Sequence, residues 1–455
     1  MRRHVLIGRF GSNDKVEVPT ASAEVSTKLD FVVAKKRLEH GIGSALDDLA
    51  RLGVFPTEIG LDLLVLAAHV QATDTRISRT TESQDNWTRE IRLVVPVSDV
   101  ECWMKTTAAL ERLLNFLTGD LWTIHFRPRP AGFETCVPGK PKQHTSPPFD
   151  SLALFSGGLD SLIAAIDSLE QGRTPLLISH AAEGATSDSQ NTLFHGLKKH
   201  YAKAAFERLR IWMAFADGLV KNVASEKTTR GRSFLFLATG AFAGSGLNGT
   251  FTLRVPENGL IALNVPLDPL RLGALSTRTT HPFYLARWND LLQAIDIPGR
   301  IENPYWNKTK GEMVAGCANQ SLLSRLLPAA LSCSSPTKGR WQGHGTGHCG
   351  FCLPCLIRRA AVLKGFGRPD PTTYTLSNLS AEVLDTHQAE GQQVRSFQFA
   401  IERLRRKPKL ASLLIHKPGP LSDESPARQI ALADVYRRGI GEVATLLASV
   451  QTKPK

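Results

Sequence analysis

The sequence predicts an α/β protein with a parallel central sheet, an added N-terminal α+β domain and a helical C-terminal extension. Three observations carry this. From Asp150 onward short apolar runs alternate with helical patterns, as parallel strands covered on both faces by helices require. One of those runs breaks at Ser-Gly-Gly and restarts as a helix. Four of the seven cysteines gather between Cys333 and Cys355.

At 455 residues the chain predicts two or three domains. We divide it into an accessory domain over 1–145, a central domain over 150–370 and an extension over 371–455. A composition of 42% hydrophobic and 21% charged residues is that of an ordinary globular protein with a sizeable core. The apolar run after MRRH is too short for a signal sequence. The longest apolar window, Phe234–Leu247, is interrupted by glycine and falls short of the ~20 residues of a membrane span. These features predict a cytoplasmic protein with no membrane partner.

In the first region Arg89–Val97 and Trp122–Pro130 have strand character, and Leu110, Leu113, Leu114 and Leu117 form a helical stripe between them. Pro128–Pro148, rich in proline, glycine and polar residues, reads as a linker. Next come a strand at Ser151–Phe155 and a helix carrying Leu162, Ile163, Ile166 and Leu169. Pro175–His180 and Leu209–Phe215 read as further strands, with a helix over Gln190–Arg208 between them. Ser233–Gly244 reads as a buried helix and Leu260–Pro266 as a strand. After Pro371 the pattern is mostly helical, most clearly over Arg395–Leu414.

Gly157 and Gly158 allow a sharp turn and a close approach to a ligand. The N–H groups that open the following helix lack intrahelical partners and sit at its positive end, which makes a phosphate cradle. Ser156 and Ser161 add hydroxyl donors, and Asp160 is placed to cap the helix or hold Mg²⁺. Neither GxxxxGK[ST] nor GxGxxG stands at this turn, so the cradle is of another kind. The net charge of +13 favours an anionic partner: nucleotide, nucleic acid or acidic protein. Because the basic residues are scattered, direct nucleic-acid binding is the weaker of these readings, though charge alone leaves it open.

The cysteines follow C-x15-C-x2-C-x2-C, through Cys333, Cys349, Cys352 and Cys355. Four thiolates close a tetrahedron and leave no open position, which predicts structural Zn²⁺. An iron–sulfur cluster uses similar spacings and stays open as a competitor. His344 and His348, between the cysteines, are expected in a loop or beside the ligands, not among them. Cys102, Cys136 and Cys317 are isolated and read as small buried residues.

The hexapeptide SGGLDS resembles the PP-loop, SGGxDS, of the N-type ATP pyrophosphatases. The resemblance implies that Ser156, Gly157, Gly158, Leu159, Asp160 and Ser161 hold the pyrophosphate of ATP while a substrate oxygen attacks the α-phosphorus. The stretch Asn307–Gly367 resembles the end of QueC, the 7-cyano-7-deazaguanine synthase family. Thr309-Lys310-Gly311-Glu312 matches its TKxE element, and Cys333 with Cys349-Gly350-x-Cys352-x-x-Cys355 matches its cysteines; Arg358 and Arg359 stand at its basic position. By this resemblance Lys310 neutralises phosphate charge and joins Asp160 in catalysis. Arg230 and Arg232 are similar to a family element before its central helix and are candidates for binding ATP or substrate; Arg278 and His281, in STRTTHP, stand where the family's specificity element lies, and either recognise substrate or form a polar loop.

The chain departs from that family in its first 145 residues, in its C-terminal extension and in SHAAEGATSDSQ after the second strand. The longer pattern, including Ser78–Ile91 and Phe116–Pro130, resembles QatC, the QueC-like component of Qat antiphage defence systems. That resemblance implies ATP, Mg²⁺ and Zn²⁺ as cofactors and an adenylated carboxylate of 7-carboxy-7-deazaguanine. The acceptor it implies is an amine, the N-terminal amine of a companion protein similar to QatB. Nitrile formation from ammonia, tRNA modification and a non-enzymatic nucleotide sensor or scaffold are the competing readings.

Overall fold

A computed structural model describes residues 2–33, 37–142, 146–181, 184–226, 228–268, 278–337 and 345–454. Among the described residues two parallel sheets dominate. The first comprises β1 (Arg3–Arg9), β2 (Glu24–Asp30), β3 (Glu90–Val97) and β4 (Leu121–Pro128), in the order β2-β1-β3-β4. The second comprises β5 (Ser151–Leu154), β6 (Pro175–His180), β7 (Glu207–Ile211), β8 (Phe251–Arg254) and β9 (Gly299–Glu302), in the order β7-β6-β5-β8-β9. The first region is therefore α/β, where α+β was expected: all of its strand pairs are parallel, with Leu6 beside Leu93 and Leu93 beside Ile124. Near-continuous burial along β3 suits a strand covered on both faces.

In the second sheet the order reverses at β5, with Leu152 paired to Leu176 on one side and Leu253 on the other. Such a reversal opens a crevice at the carboxyl ends of the strands, where open α/β sheets bind ligands. The Ser-Gly-Gly turn leaves β5 at that point, and the helix Leu159–Glu170 follows at once.

Two expected elements moved. The helix placed at Gln190–Arg208 runs Gly184–His200, and the third strand begins two residues earlier than Leu209. Leu260–Pro266 is not a strand. Asn258 caps a short helix, Gly259–Leu263, by accepting the Ile261 N–H at 3.1 Å, and Asn264 ends it in the left-handed region at φ 45°. The strand at this level is Phe251–Arg254, whose four residues alternate between buried and half-buried.

One apolar core joins the two sheets. The helix Glu58–Arg76 packs against Arg232–Gly244, which is apolar on every side, from Phe234 and Leu235 to Phe242 and Ala243. The expected linker starts as a packed segment: Arg129 pairs with Glu58 and Asp62, and Glu58 accepts the N–H groups of Cys136 and Val137. A second core lies between the C-terminal helices Ala389–Arg406 and Pro426–Leu446, the short helix at Gly259 and the helix Leu353–Phe366. No described helix is long and apolar enough to cross a membrane.

Candidate functional site

The turn after β5 is held from three directions. Gly157 takes φ +81°, open to glycine at little cost. Its carbonyl accepts the Leu331 N–H at 2.9 Å and lies 2.7 Å from Ser189 Oγ. Gln190 donates from Nε2 to the carbonyls of His180 and Ser156. The Ser156 hydroxyl lies 3.3 Å from both the Gly158 N–H and Ser161 Oγ, and Ser332 Oγ accepts from the Leu159 N–H at 3.4 Å. Long bonds to small hydroxyls leave the donors at the head of the helix available to a stronger acceptor, such as a phosphate.

Ser156 and Ser161 open onto a cavity of about 290 Å³. Its apolar wall includes Ile178, Ile211 and Phe236; its polar wall includes His180, Arg232 and Glu257. Burial first, and Arg232 second, push His180 down to about 4, so its ring is neutral at pH 7. The mix of flat apolar wall and sparse polar groups suits a small heteroaromatic ligand.

Asp160 does not cap the helix, a position taken by Gly158. Its carboxylate points into a buried cluster behind the turn. Lys310 Nζ lies 3.0 Å from Oδ1, with both side chains more than nine-tenths buried. Asn258 donates to Oδ2 from its backbone N–H at 3.2 Å and from Nδ2 at 2.8 Å, and the same Nδ2 lies 3.0 Å from Glu257 Oε1. Burial opposes the charge of Asp160, but Lys310 and the surrounding donors outweigh it and hold the carboxyl below its ordinary value. Glu257 moves well upward, through burial and then through the charge of Asp160. Lys310 thus pairs with Asp160, while Glu257 joins the cluster through Asn258. Lys310 itself is the first residue of the helix Lys310–Ala315, opened by a capping box in which Thr309 and Glu312 bond each other's backbone.

The four arginine and histidine candidates separate. Arg232 lines the cavity and lies over Phe236. Arg230 instead stacks on Trp87 at 3.7 Å and donates to the Thr118 carbonyl at 3.0 Å. Arg278 lies over the ring of Phe116 and donates to its carbonyl. His281 is fully buried, caps the helix Pro282–Ala294 by accepting the Phe283 N–H, and is pushed down to about 3 by burial and then by Arg278. Arg230, Arg278 and His281 are held by packing against the first region, and it is Thr279 and Thr280 that reach the cavity. Ser276 lies outside the described residues.

Cys333, Cys349, Cys352 and Cys355 place their sulfurs within 4.8 Å of one another. The Cys333–Cys352 and Cys349–Cys355 separations are 3.8 and 3.9 Å. A tetrahedral ion with Zn–S bonds of ~2.3 Å needs sulfur–sulfur edges of about 3.8 Å, so the four residues could hold one such ion. A [4Fe–4S] cluster, whose thiolates each bind a separate iron, needs wider spacing, and a [2Fe–2S] cluster sets its two pairs of thiolates apart on two irons. Backbone N–H groups of Ser335, Cys349 and Cys352 point at these sulfurs and would stabilise thiolates. His348 accepts the Ser332 N–H at 3.1 Å through Nε2 and stands outside the set; His344 lies outside the described residues. Arg358, fully buried, donates to the carbonyls of Leu327 and Ala330 and pairs with Asp370, while Arg359 donates to the carbonyls of Gly350 and Leu376. Both arginines therefore brace the cysteine segment.

Glu257, Asn258, Gln190 and Ser332 escaped the sequence reading. The Asn-Gly pair at 258–259 was the available signal, masked by the apolar residues that follow it.

No family model matches the chain. The chain is similar to the 7-cyano-7-deazaguanine synthase of Parasynechococcus marenigrum (strain WH8102), at 27% identity over 248 residues. That match covers 48% of this chain and 95% of the relative. Distant as it is, the similarity supports a QueC-like relationship for half of the chain.

Proposed function

We propose that the chain is an ATP-dependent, QueC-like ligase in antiphage defence that activates the carboxylate of 7-carboxy-7-deazaguanine and passes it to an amine. The observation that carries this reading is the Ser156–Ser161 turn, set at the reversal of strand order with its N–H groups and hydroxyls beside a cavity. The similarity to a 7-cyano-7-deazaguanine synthase supplies the substrate class. Ser156, Ser161 and the N–H groups of Gly158 and Leu159 would hold the departing pyrophosphate as the carboxylate oxygen attacks the α-phosphorus. Arg232 would offset charge from the cavity wall. Lys310 and Asp160, as a mutually neutralised pair, would keep the head of the helix rigid. Mg²⁺ would arrive on the phosphates of ATP, because the oxygens of Asp160 already meet Lys310 and Asn258. Zn²⁺ in the four thiolates would be structural, fixing Leu331 and Ser332 against the turn.

The amine then attacks the acyl-adenylate carbonyl, the new C–N bond forms, AMP leaves and the amine gives up one proton. We assign the acceptor as the N-terminal amine of a companion protein, because the match takes in 95% of the synthase but only 48% of this chain, and so leaves half of the chain as added surface. Incubating the chain with ATP, Mg²⁺, 7-carboxy-7-deazaguanine and the companion should raise the companion's intact mass by one deazaguanine acyl group. An unchanged mass together with nitrile formation would replace ligation by ammonia-dependent synthesis. Turnover of ATP without either product would leave a nucleotide sensor.

A further inference from the structure

The C-terminal helix Pro426–Leu446 touches both elements that hold Asp160. On one side it packs against the short helix capped by Asn258. A Cβ at Gly259 would fall 2.8 Å from the methyls of Val435, and one at Gly439 would fall 3.0 Å from Leu260. The two glycines let the helices approach this closely, which fixes Asn258 at the start of its helix. On the other side Glu442 reaches the first turn of the helix that begins with Lys310. It accepts from the Thr309 hydroxyl through Oε1 and from the Gly311 N–H through Oε2 at 3.1 Å. Arg438, one turn earlier, pairs with Glu312 and donates to the Asn307 carbonyl at 2.9 Å.

These contacts satisfy donors that a helix start otherwise leaves open. The Thr309 hydroxyl donates a hydrogen bond to Glu442 while its oxygen accepts the Glu312 N–H, so the rotor of the cap has one orientation. They also account for the residue at 311. A Cβ there would stand 2.5 Å from Glu442 Oε1, so glycine is the residue that admits the carboxylate. Glu442 is itself half-buried or better in this arrangement and makes no contact with the cavity lining.

We propose that Glu442 is a positioning residue of the reaction site, setting the first turn of the helix Lys310–Ala315 and through it the contact of Lys310 with Asp160. This rests on the reading that the Ser156–Ser161 turn uses ATP. It gives the C-terminal extension a part in the chemistry that is separate from any docking of a partner.

The test measures pyrophosphate release from ATP with 7-carboxy-7-deazaguanine and an amine acceptor, the companion protein or ammonium, alongside thermal melting, for wild type, Glu442→Ala, Glu442→Gln and Gly311→Ala. Misplacement of a group by about 1 Å can cost on the order of a hundred-fold in rate. We expect kcat to fall by roughly ten- to a hundred-fold in Glu442→Ala and less in Glu442→Gln, which keeps one acceptor oxygen, with KM for ATP within about two-fold of wild type. Gly311→Ala should lose rate similarly, and adding Glu442→Ala to it should cost little more. A silent wild type would overturn the ATP reading itself. An active wild type with kcat unchanged in the Glu442 variants would overturn the positioning role alone. So would a rise in KM at constant kcat, or a loss that follows only the folded fraction; if Glu442→Ala fails to fold, the isosteric Glu442→Gln decides.

Discussion

The Leu331 N–H donates to the Gly157 carbonyl at 2.9 Å, two residues before the chain reaches Cys333. The cysteine cluster and the glycine turn are therefore one mechanical unit, since Ser332 bonds the Leu159 N–H from one side and His348 from the other.

Metal removal should reach the turn through this unit. Cys352→Ser is expected to lose its metal, with one zinc per chain in wild type and none in the variant by elemental analysis. Each neutral hydrogen bond at the turn contributes about 1 kcal/mol, so losing both the Leu331 and Ser332 contacts should raise KM for ATP by at least about ten-fold. A colourless, zinc-free wild type with intact kinetics would refute the tether.

Asp160 and Lys310 are buried together, and removing one partner strands the other. Asp160→Ala should cost about 3–5 kcal/mol in denaturant unfolding and abolish pyrophosphate release. Asp160→Asn keeps the shape but loses the charge, and should be inactive at a smaller cost in stability. Full turnover in either variant would remove Asp160 from the site.

The pH dependence of stability follows from two opposite shifts. Asp160 sits below its ordinary value, so its contribution is complete above the ordinary carboxylate range and is lost as pH falls through the lowered value. Glu257 sits above its ordinary 4.5, so its contribution is complete below 4.5 and is lost as pH rises through the raised value. Glu257→Gln should remove that second decline and unfold at higher urea than wild type at neutral pH. Urea titrations across pH 4 to 9 check it, and parallel curves for the two proteins would contradict it.

Arg232 and Arg230 are two residues apart but should behave differently. Arg232→Gln should raise KM for ATP with little change in melting. Arg230→Ala should lower stability by about 1 kcal/mol, as expected for a cation over a tryptophan face, and leave KM unchanged. Reversal of these roles would move the cavity's anion contact to Arg230.

Asp74 gives the first region a direct hold on the site. It accepts the Gly231 N–H at 2.7 Å, next to Arg232, and sits among Arg79, Arg89 and Asp120 in a buried charge network. Asp74→Ala should destabilise the protein by about 3–5 kcal/mol, and KM for ATP should rise in whatever fraction remains folded. Equal kinetics in variant and wild type would limit Asp74 to stability.

The legible parts of the site were the local ones. SGGLDS carries its own turn and helix start, and the cysteine spacing carries its own geometry. Thr309 and Glu312 announce a helix in four residues. What escaped needed partners far along the chain: Asn258 meets Asp160 across 98 positions, Glu442 meets Gly311 across 131, and Asp74 meets Gly231 across 157. Leu260–Pro266 misled because its apolar residues face the C-terminal core, so their pattern reports that packing and not a strand. His281 and Arg278 misled because polar residues near a site can be consumed by a helix cap and an aromatic face.

Apart from Arg232 and Phe236 on the cavity wall, the helix Arg232–Gly244 is buried along its length. A chain trimmed to the central sheet would present Phe234, Leu235, Leu237 and Phe242 with one neighbour missing, and should aggregate or bind hydrophobic dyes. A relative that folds without such a sheet is expected to carry polar side chains on that face. Polar substitution there, read across homologous chains, would tell which of them ever had the added sheet to lean on.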